Sequence, residues 1–269
     1  MNITVIIPAA GTGTRFGPSG KIEFDLAGKP IFLRTIDVFA NQKDVEQIIL
    51  AVNPSKIDEF KFRWQAKLAF FGITLVSGGR TKRWQTVRNA LAAVSDKCTH
   101  VAVHDAARPL ASEVLVKRVF DAAMRFPAVI PAIPINATLK RVEPEPNNTL
   151  EEDPLDVILG DAGRTASASQ RVRETIDRNN LVEVQTPQIF AVELLRRGYE
   201  QAEQAHNVTD DAGLIEALGE PVHIVEGEST NLKITHSGDA EVAAAILENR
   251  QAIEGKFLAK KRLFAEEDD

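Results

Sequence analysis

Short apolar runs alternate with longer amphipathic segments along the first half of the chain. The runs are ITVII (3–7), QIILAV (47–52), ITLV (73–76), HVAVHDA (100–106) and AVIPAIP (128–134). Apolar residues at helical spacing fill the intervening segments 30–40, 55–68, 81–94 and 112–126. Strands without polar alternation are buried on both faces, so the pattern predicts an α/β fold: a mostly parallel sheet with helices on both faces.

The segment 112–126 predicts which helical face is buried, since one face carries Val114, Leu115, Val119, Ala122 and Ala123. The pattern changes at 143–174, where Pro, Asn, Ser and acidic residues predict a protruding arm or loop. A disordered insertion without a role is the alternative. Further on, we expect a helix over 191–205, a second capped by Thr209, strands at 221–227 and 231–235, a last helix over 238–253 and a solvated tail.

Bulk composition excludes several classes of protein. The 269 residues carry a net charge of −6 without a basic stripe, which disfavours a nucleic-acid binder. The single cysteine, Cys98, excludes an internal disulfide and a cysteine-based zinc cluster, and suits a reducing cytoplasm. The longest uncharged stretch, 126–139, contains three prolines and is shorter than the ~20 residues of a membrane span. We therefore expect a soluble protein without a nucleic-acid or membrane partner.

A glycine-rich loop, PAAGTGTRFGPSGK (8–21), follows the first apolar run. A Walker A loop needs glycine where Arg15 stands and Ser or Thr where Ile22 stands, so that motif is absent. The spacing of Gly11, Gly13 and Gly17 is one residue too long for a dinucleotide fingerprint. We interpret the loop as one that wraps a nucleoside triphosphate while Arg15 and Lys21 hold its oxygens. A plain strand-to-helix turn with solvated cations is the alternative.

The stretch VHDAARP (103–109) ends the fourth apolar run and should reach the same sheet edge as the glycine-rich loop. Asp105 is the candidate metal ligand, because Mg²⁺ is held by one or two carboxylates together with phosphate oxygens. Arg108 holds an anion or pairs with Asp105, and His104 is expected to pack in the core. Further polar candidates, each of which has an alternative as an ordinary surface residue, are Thr138, Lys140, Arg178 and Lys233.

Eight stretches occur in the order and context of one family: PAAGTGTRF, GGRTKRWQTV, VHDAARP, PAIPINATLKR, TIDRNNL, QTPQIF, TDDAGLIEALG and VEGESTNLKIT. By these motifs the chain resembles the 2-C-methyl-D-erythritol 4-phosphate cytidylyltransferases of the non-mevalonate isoprenoid pathway. The resemblance runs from residue 3 to about 250 and lacks only the insertion at 143–174 and the tail. It implies a Rossmann-like nucleotidyltransferase fold with a protruding β-arm. The implied organisation is one domain over 1–255, a dimerisation arm at about 137–185 with an insertion at 143–174, and a charged tail at 256–269.

The resemblance implies transfer of CMP from CTP to 2-C-methyl-D-erythritol 4-phosphate, giving 4-diphosphocytidyl-2-C-methyl-D-erythritol and pyrophosphate. The substrate phosphate would attack in line, with Mg²⁺ or another divalent cation as cofactor. The implied enzyme is a cytoplasmic homodimer in which the arm brings Arg178 into the neighbouring subunit's site.

Residue roles also follow from the resemblance. The implied catalytic residues are Arg15, Lys21, Lys233 and Arg178. CTP would be bound by Ala9, Ala10, Gly11, Gly13, Thr14, Gly79, Thr86, Asp105 and Ala106. The polyol phosphate would be bound by Asp105, Thr138, Arg178, Thr186 and Lys233, and the metal by Asp105.

The chain departs from the family pattern at several positions. Gly20-Lys21-Ile22 stands where Pro-Lys-Gln is usual, and Thr230 replaces an acid that often helps to hold the metal. The GGRTKRWQTV stretch is one residue longer than usual, which leaves the role of Arg80 open. Two alternatives remain: a ribitol-5-phosphate cytidylyltransferase of the same fold, which Thr230 would suit, and a non-catalytic nucleotide-binding relative.

Overall fold

The first strand shows why the central sheet is covered on both faces. β1 (Ile3–Ala9) is buried along nearly its whole length. Because successive side chains of a strand point to opposite faces, Ile3, Val5 and Ile7 pack in one apolar cluster and Ile6 in another. The first cluster contains residues of α1 (Ile31–Ala40), α2 (Ile57–Phe70) and α4 (Glu113–Ala123). The second contains residues of α3 (Arg83–Leu91), α5 (Val192–Glu200) and α6 (Ala212–Ala217). The predicted mostly parallel sheet with helices on both faces is confirmed.

The computed structural model describes residues 1–11, 20–144, 170–203 and 208–265, with side chains as far as residue 253. Its strands are β1, β2 (Asp25–Leu26), β3 (Lys29–Pro30), β4 (Val45–Val52), β5 (Thr74–Ser77), β6 (His100–Val103), β7 (Ala128–Pro134), β8 (Leu139–Pro144), β9 (Gln170–Ile176), β10 (Val182–Val184), β11 (Gln188–Ala191) and β12 (His223–Glu226). Its helices are α1 (Ile31–Ala40), α2 (Ile57–Phe70), α3 (Arg83–Leu91), α4 (Glu113–Ala123), α5 (Val192–Glu200), α6 (Ala212–Ala217) and α7 (Ser237–Ala265).

The large sheet has the strand order β10-β7-β11-β6-β1-β4-β5, and β12 also pairs with β7. The pairs β1–β4, β1–β6, β4–β5 and β7–β12 are parallel, whereas β11 runs antiparallel to both β6 and β7. The carboxyl ends of β1, β5 and β6 therefore lie at one edge, where parallel α/β sheets bind their ligands. In the described part of the chain, none of the helices has the length and hydropathy needed to cross a bilayer.

The chain divides into two compact units, residues 1–133 with 184–269 and residues 134–183. The second unit contains β8 and β9, which pair antiparallel from Leu139–Ile176 to Pro144–Gln170. Its bounds are close to those of the predicted arm, and the centre of the predicted insertion, 145–169, lies outside the described residues. That this unit is a protruding arm that mediates dimerisation stays a prediction.

The predicted buried face of α4 is confirmed at Leu115, Val119, Ala122 and Ala123 and wrong at Val114. Val114 is 64% exposed, while Val116 and Phe120 are buried beside Leu115 and Val119. Ser112 caps this helix, because its hydroxyl accepts a hydrogen bond from the backbone N–H of Leu115 at 3.0 Å. The buried face of α4 therefore includes Val116 and Phe120, which lie four residues apart, and excludes Val114.

Several predicted boundaries in the last third of the chain were wrong. Residues 231–235 form no strand, although the backbone N–H of Ile234 donates to the carbonyl oxygen of Ala107 at 2.8 Å. Thr209 does not cap α6, which begins at Ala212 and has Asp211 at its N-cap position. Helix α5 ends at Glu200, before the predicted end at 205, and α7 continues to Ala265 instead of ending at 253. The segment after Gly255 contains strong helix formers without proline, which favours this continuation.

Candidate active site

A cleft of about 450 Å³ opens where the chain leaves the carboxyl ends of β1, β5 and β6. It brings together the predicted residues Ala9, Ala10, Gly11, Lys21, Gly79, Thr86, Asp105, Ala106 and Lys233. Its remaining lining comprises Pro8, Ile22, Arg80, Thr81, Lys82, Arg83, Ala107 and Thr235. Among the described lining residues, five carry a cation and one carries a carboxylate, so the cleft suits a polyanionic ligand.

Several other predicted site residues are absent from the described lining of the cleft. Gly13, Thr14 and Arg15 fall outside the described residues. Thr138 and Arg178 belong to the second unit, where Thr138 is exposed and Arg178 donates a hydrogen bond to the carbonyl oxygen of Asn136. The roles inferred for these residues stay predictions.

Asp105 lies at the centre of the charged groups of the cleft. Its carboxylate is 2.8 Å from Lys233 Nζ, 3.5 Å from a guanidinium nitrogen of Arg83 and 3.8 Å from Arg108 Nε. Burial alone would raise the pKa of the Asp105 carboxyl, but the charges of Arg83, Lys233 and Arg108 outweigh burial and hold that pKa below its usual range. Asp105 is therefore an ionised carboxylate that can contact a cation.

Thr186 fixes the backbone that carries Asp105. The Thr186 hydroxyl accepts a hydrogen bond from the Asp105 backbone N–H at 3.1 Å and lies 3.1 Å from His104 Nδ1. His104 Nε2 lies 2.9 Å from the carbonyl oxygen of Arg108, and burial lowers the pKa of His104 to about 4. A neutral His104 with its proton on Nε2 satisfies both contacts, because the Thr186 hydroxyl then donates to Nδ1. Substrate binding by Thr186 stays a prediction.

Arg108 pairs with Asp105, which was one of its two predicted roles. Its side chain is only 7% exposed, and it donates to the carbonyl oxygen of Asn231 at 2.6 Å. The amide of Asn231 in turn donates to the carbonyl oxygen of Thr186 at 2.9 Å. These buried contacts hold the 103–109 stretch against the segment that carries Lys233.

A glycine pair, Gly78 and Gly79, precedes α3 beside the cleft. A Cβ on Gly78 would lie 2.6 Å from that of Ala10, and one on Gly79 would lie 2.5 Å from that of Gln85. The Thr86 hydroxyl accepts a hydrogen bond from the Gly79 backbone N–H at 3.0 Å. Thr86 is 3% exposed and lines the cleft beside this backbone. The close approach of the backbones therefore requires glycine here.

Lys21 begins a single turn of 3₁₀ helix, Lys21–Glu23, which we call the Lys21 turn. The preceding Gly20 has φ +78°, a value that proline cannot adopt and that other residues rarely do. This conformation accounts for glycine where the family usually has proline before its lysine.

Lys233 lies in an extended loop whose end is tied to α7. The Asp239 carboxylate accepts hydrogen bonds from the hydroxyl and backbone N–H of Thr235 and from the backbone N–H of His236, at 2.7, 2.6 and 2.8 Å. The Thr235 hydroxyl, its backbone N–H and that of His236 lower the pKa of Asp239 to about 2. Thr230 has a different partner, since its hydroxyl accepts from Arg250 at 3.1 Å and it is absent from the described cleft lining.

Arg83 was missed by the sequence analysis. Its guanidinium is 2.8 Å from the buried carboxylate of Asp211, besides its contact with Asp105. Burial alone would lower the pKa of Arg83, but Asp211 and Asp105 raise it above its usual range. The repeated cations of GGRTKRWQTV were the available signal, and they also include Arg80 and Lys82 in the lining.

The residues of the cleft fit one Mg²⁺ held jointly with a ligand. Among the described residues, no group of three or more His, Cys, Asp or Glu side chains could hold a metal by itself. Mg²⁺ commonly takes one or two carboxylates and completes its coordination with phosphate oxygens and water. The ionised Asp105 supplies such an oxygen, and Lys233, 44% exposed, is free to turn from Asp105 towards a phosphate.

Comparison with known proteins matches the chain to one family. A family model described as IspD, 2-C-methyl-D-erythritol 4-phosphate cytidylyltransferase, matches residues 3–154 and 153–249. A protein of that name from Rhodopirellula baltica is 38% identical over 260 residues, covering 91% of this chain and 95% of its own. The namesake from Acidobacterium capsulatum is 36% identical over 264 residues, covering 94% of this chain and 100% of its own.

Solved structures agree with these sequences. The crystal structure of 2-C-methyl-D-erythritol 4-phosphate cytidylyltransferase from Thermus thermophilus has a TM-score of 0.66 and 30% identity, and the match covers 91% of this chain and 98% of that one. The 4-diphosphocytidyl-2C-methyl-D-erythritol synthase from Anaerococcus prevotii has a TM-score of 0.69 and 28% identity, with the same two coverages.

Proposed function

We propose, because this chain belongs to the 2-C-methyl-D-erythritol 4-phosphate cytidylyltransferase family, that it transfers CMP from CTP to 2-C-methyl-D-erythritol 4-phosphate. A phosphate oxygen of the polyol phosphate forms a bond to the α-phosphorus of CTP. The bond from that phosphorus to the oxygen bridging to the β-phosphate breaks, and pyrophosphate leaves. The observation that carries the proposal is the cationic cleft around Asp105, built from the family's motifs at the sheet edge.

The charges of the cleft support this chemistry. Both reactants are polyanions, so bringing two phosphates into contact requires compensating positive charge. Lys21 and Lys233 enter the cleft from segments far apart in the sequence, and Arg83 lies beside Asp105. We assign to Lys21 the stabilisation of the negative charge that develops at the reacting phosphorus. We assign to Lys233 the binding of the polyol's phosphate. Backbone groups around Ala10 and Gly79 would accommodate cytosine.

We propose Mg²⁺ as the cofactor, held by Asp105 and phosphate oxygens of CTP. The ion would neutralise triphosphate charge when bound. Asp105 keeps its place because Thr186 holds its backbone and Arg108 its carboxylate. The cytoplasmic location and the homodimer formed through the unit 134–183 are likewise predictions.

The reaction is tested by pyrophosphate release with CTP, Mg²⁺ and one polyol phosphate at a time. We expect turnover with 2-C-methyl-D-erythritol 4-phosphate and little with ribitol 5-phosphate. Turnover of ribitol 5-phosphate alone would establish the alternative cytidylyltransferase. Absence of pyrophosphate with either substrate would favour a non-catalytic nucleotide-binding protein.

We expect Arg178→Ala to raise the KM for the polyol phosphate by about tenfold or more, with a much smaller change in the KM for CTP. The reason is that a guanidinium assigned to one substrate phosphate loses a charge-assisted hydrogen bond when truncated. Steady-state kinetics with each substrate varied in turn would measure the effect. Arg173→Ala, an exposed arginine of β9, is the matched control. Equal increases in both KM values would contradict the assignment.

A further inference from the structure

Glu23, the last residue of the Lys21 turn, is bound from outside the cleft. Its carboxylate accepts a hydrogen bond from Trp64 Nε1 at 2.6 Å and another from Arg63 at 3.0 Å. The Glu23 side chain is only 10% exposed. Hydrogen bonds to an ionised carboxylate are among the strong ones, so this is a firm attachment to α2.

The Trp64 end of this contact is itself rigid. The indole ring packs edge-on against Phe32 at a centroid distance of 5.0 Å, and Phe32 is fully buried in α1. Phe60 lies on the same side, 6.5 Å from the Trp64 ring. The indole N–H is therefore held in a fixed place by the packing of α1 against α2.

The geometry of the turn separates Glu23 from Lys21. A 3₁₀ helix has three residues per turn, so the three side chains point in three directions. Lys21 faces the cleft, Ile22 lines it and packs on the apolar cluster, and Glu23 reaches α2. Fixing Glu23 therefore fixes the direction in which Lys21 leaves the backbone.

We propose that Glu23 is a positioning residue, which holds the Lys21 turn through Trp64 so that the Lys21 ammonium meets the reacting phosphate. Nothing in the proposed chemistry of the cleft requires a carboxylate here, and Glu23 touches no cleft residue through its side chain in the described contacts. The turn follows Gly20, whose backbone is permissive, so an outside contact is needed to select one conformation. The inference rests on the proposed function of Lys21.

Steady-state kinetics of variants made in the wild-type protein and in the Lys21→Ala protein test the proposal. We expect Glu23→Ala and Trp64→Phe each to lower kcat about tenfold while the KM values change little, because misplacement of a catalytic group acts mainly on the transition state. The double variant should be no worse than either single one, since both remove the same contact. In a Lys21→Ala background, Glu23→Ala should change kcat by less than about twofold, because its effect acts through Lys21.

The controls separate positioning from folding. Glu23→Gln keeps an acceptor oxygen for Trp64 and should retain most of the activity. Glu59→Ala removes another carboxylate that contacts Arg63, at 3.3 Å, and should leave kcat unchanged. A Glu23→Ala effect of equal size in both backgrounds, or an unchanged kcat for Trp64→Phe, would overturn the proposal.

The fluorescence emission of Trp64 tests its contact with Glu23 independently of the proposed reaction. The chain has two tryptophans, so Trp84→Phe leaves Trp64 as its only one. In that background we expect Glu23→Ala to shift the emission of Trp64, whereas Glu59→Ala should not. A wild-type protein that releases no pyrophosphate would overturn the proposed function. An unchanged Trp64 emission would overturn the anchoring contact whatever the activity.

Discussion

Lys21→Ala should lower kcat by about 10²–10³-fold, the usual cost of removing one group that stabilises charge in a transition state. The Lys21 side chain enters the cleft from a fixed 3₁₀ turn. Negative charge grows on the phosphate oxygens only as the reaction proceeds. The loss should therefore appear in kcat far more than in CTP affinity.

The measurement is steady-state pyrophosphate release, together with the dissociation constant of CTP determined by calorimetry. Lys56→Ala is a suitable control, since Lys56 is an exposed lysine at the start of α2 and outside the described cleft lining. A CTP dissociation constant that rises as much as kcat falls would mean that Lys21 binds the ground state. A kcat near that of the wild type would remove Lys21 from the mechanism.

The position of the cleft could be predicted from the sequence because it depends on the direction of the strands. Parallel strands bring their carboxyl ends to one edge, so the glycine-rich loop and Asp105 were expected to meet there, whereas Gly79 was assigned to the site through the family resemblance. The apolar runs were unambiguous, since β1 and β6 are almost wholly buried and β4 is buried along its last five residues. No contact between side chains was needed for this prediction.

Contacts between distant side chains could not be predicted in the same way. Arg83 is held by Asp211, at the start of another helix, and no periodicity of either segment indicates the other. Tyr199 adds a hydrogen bond to the same carboxylate. The attachment of Glu23 to Trp64 is of the same kind. Such pairs depend on how helices pack on the sheet, which the pattern of apolar positions leaves open.

Lys233 lines the cleft, although it was predicted on a strand and lies on a loop. The apolar residues on both sides of it suggested a strand, yet the segment is an extended loop fastened at Asn231 and Thr235. A lysine on such a loop can leave Asp105 for a ligand more easily than one on a paired strand. The loop observed at residues 231–235 therefore suits the proposed role of Lys233 better than the predicted strand would have done.

Asp105→Asn should separate the two roles of this carboxylate. Without metal, a carboxylate repels a triphosphate, and its loss leaves Lys233 and Arg83 with less compensated charge. We therefore expect the neutral variant to bind CTP in EDTA at least as tightly as the wild type does.

Turnover should change in the opposite direction. We expect kcat to fall by more than about 100-fold, because Asp105 would be the protein ligand of Mg²⁺, and the ion would neutralise triphosphate charge. The Mg²⁺ concentration that gives half-maximal activity should rise. Asp121→Asn, which removes an exposed carboxylate paired with Lys117, is the matched control and should change neither quantity.

These expectations for CTP binding and turnover require that Asp105→Asn changes the charge of the cleft and leaves the fold intact. The amide that Asp105→Asn introduces can still accept a hydrogen bond, Arg108 keeps the carbonyl of Asn231, and Arg83 keeps Asp211. Thermal unfolding would establish that the variant is folded at the assay temperature. If Asp105→Asn lost CTP binding equally with Mg²⁺ and with EDTA, the carboxylate would serve to arrange the surrounding cations, and the metal would have to be held by phosphate oxygens and water alone.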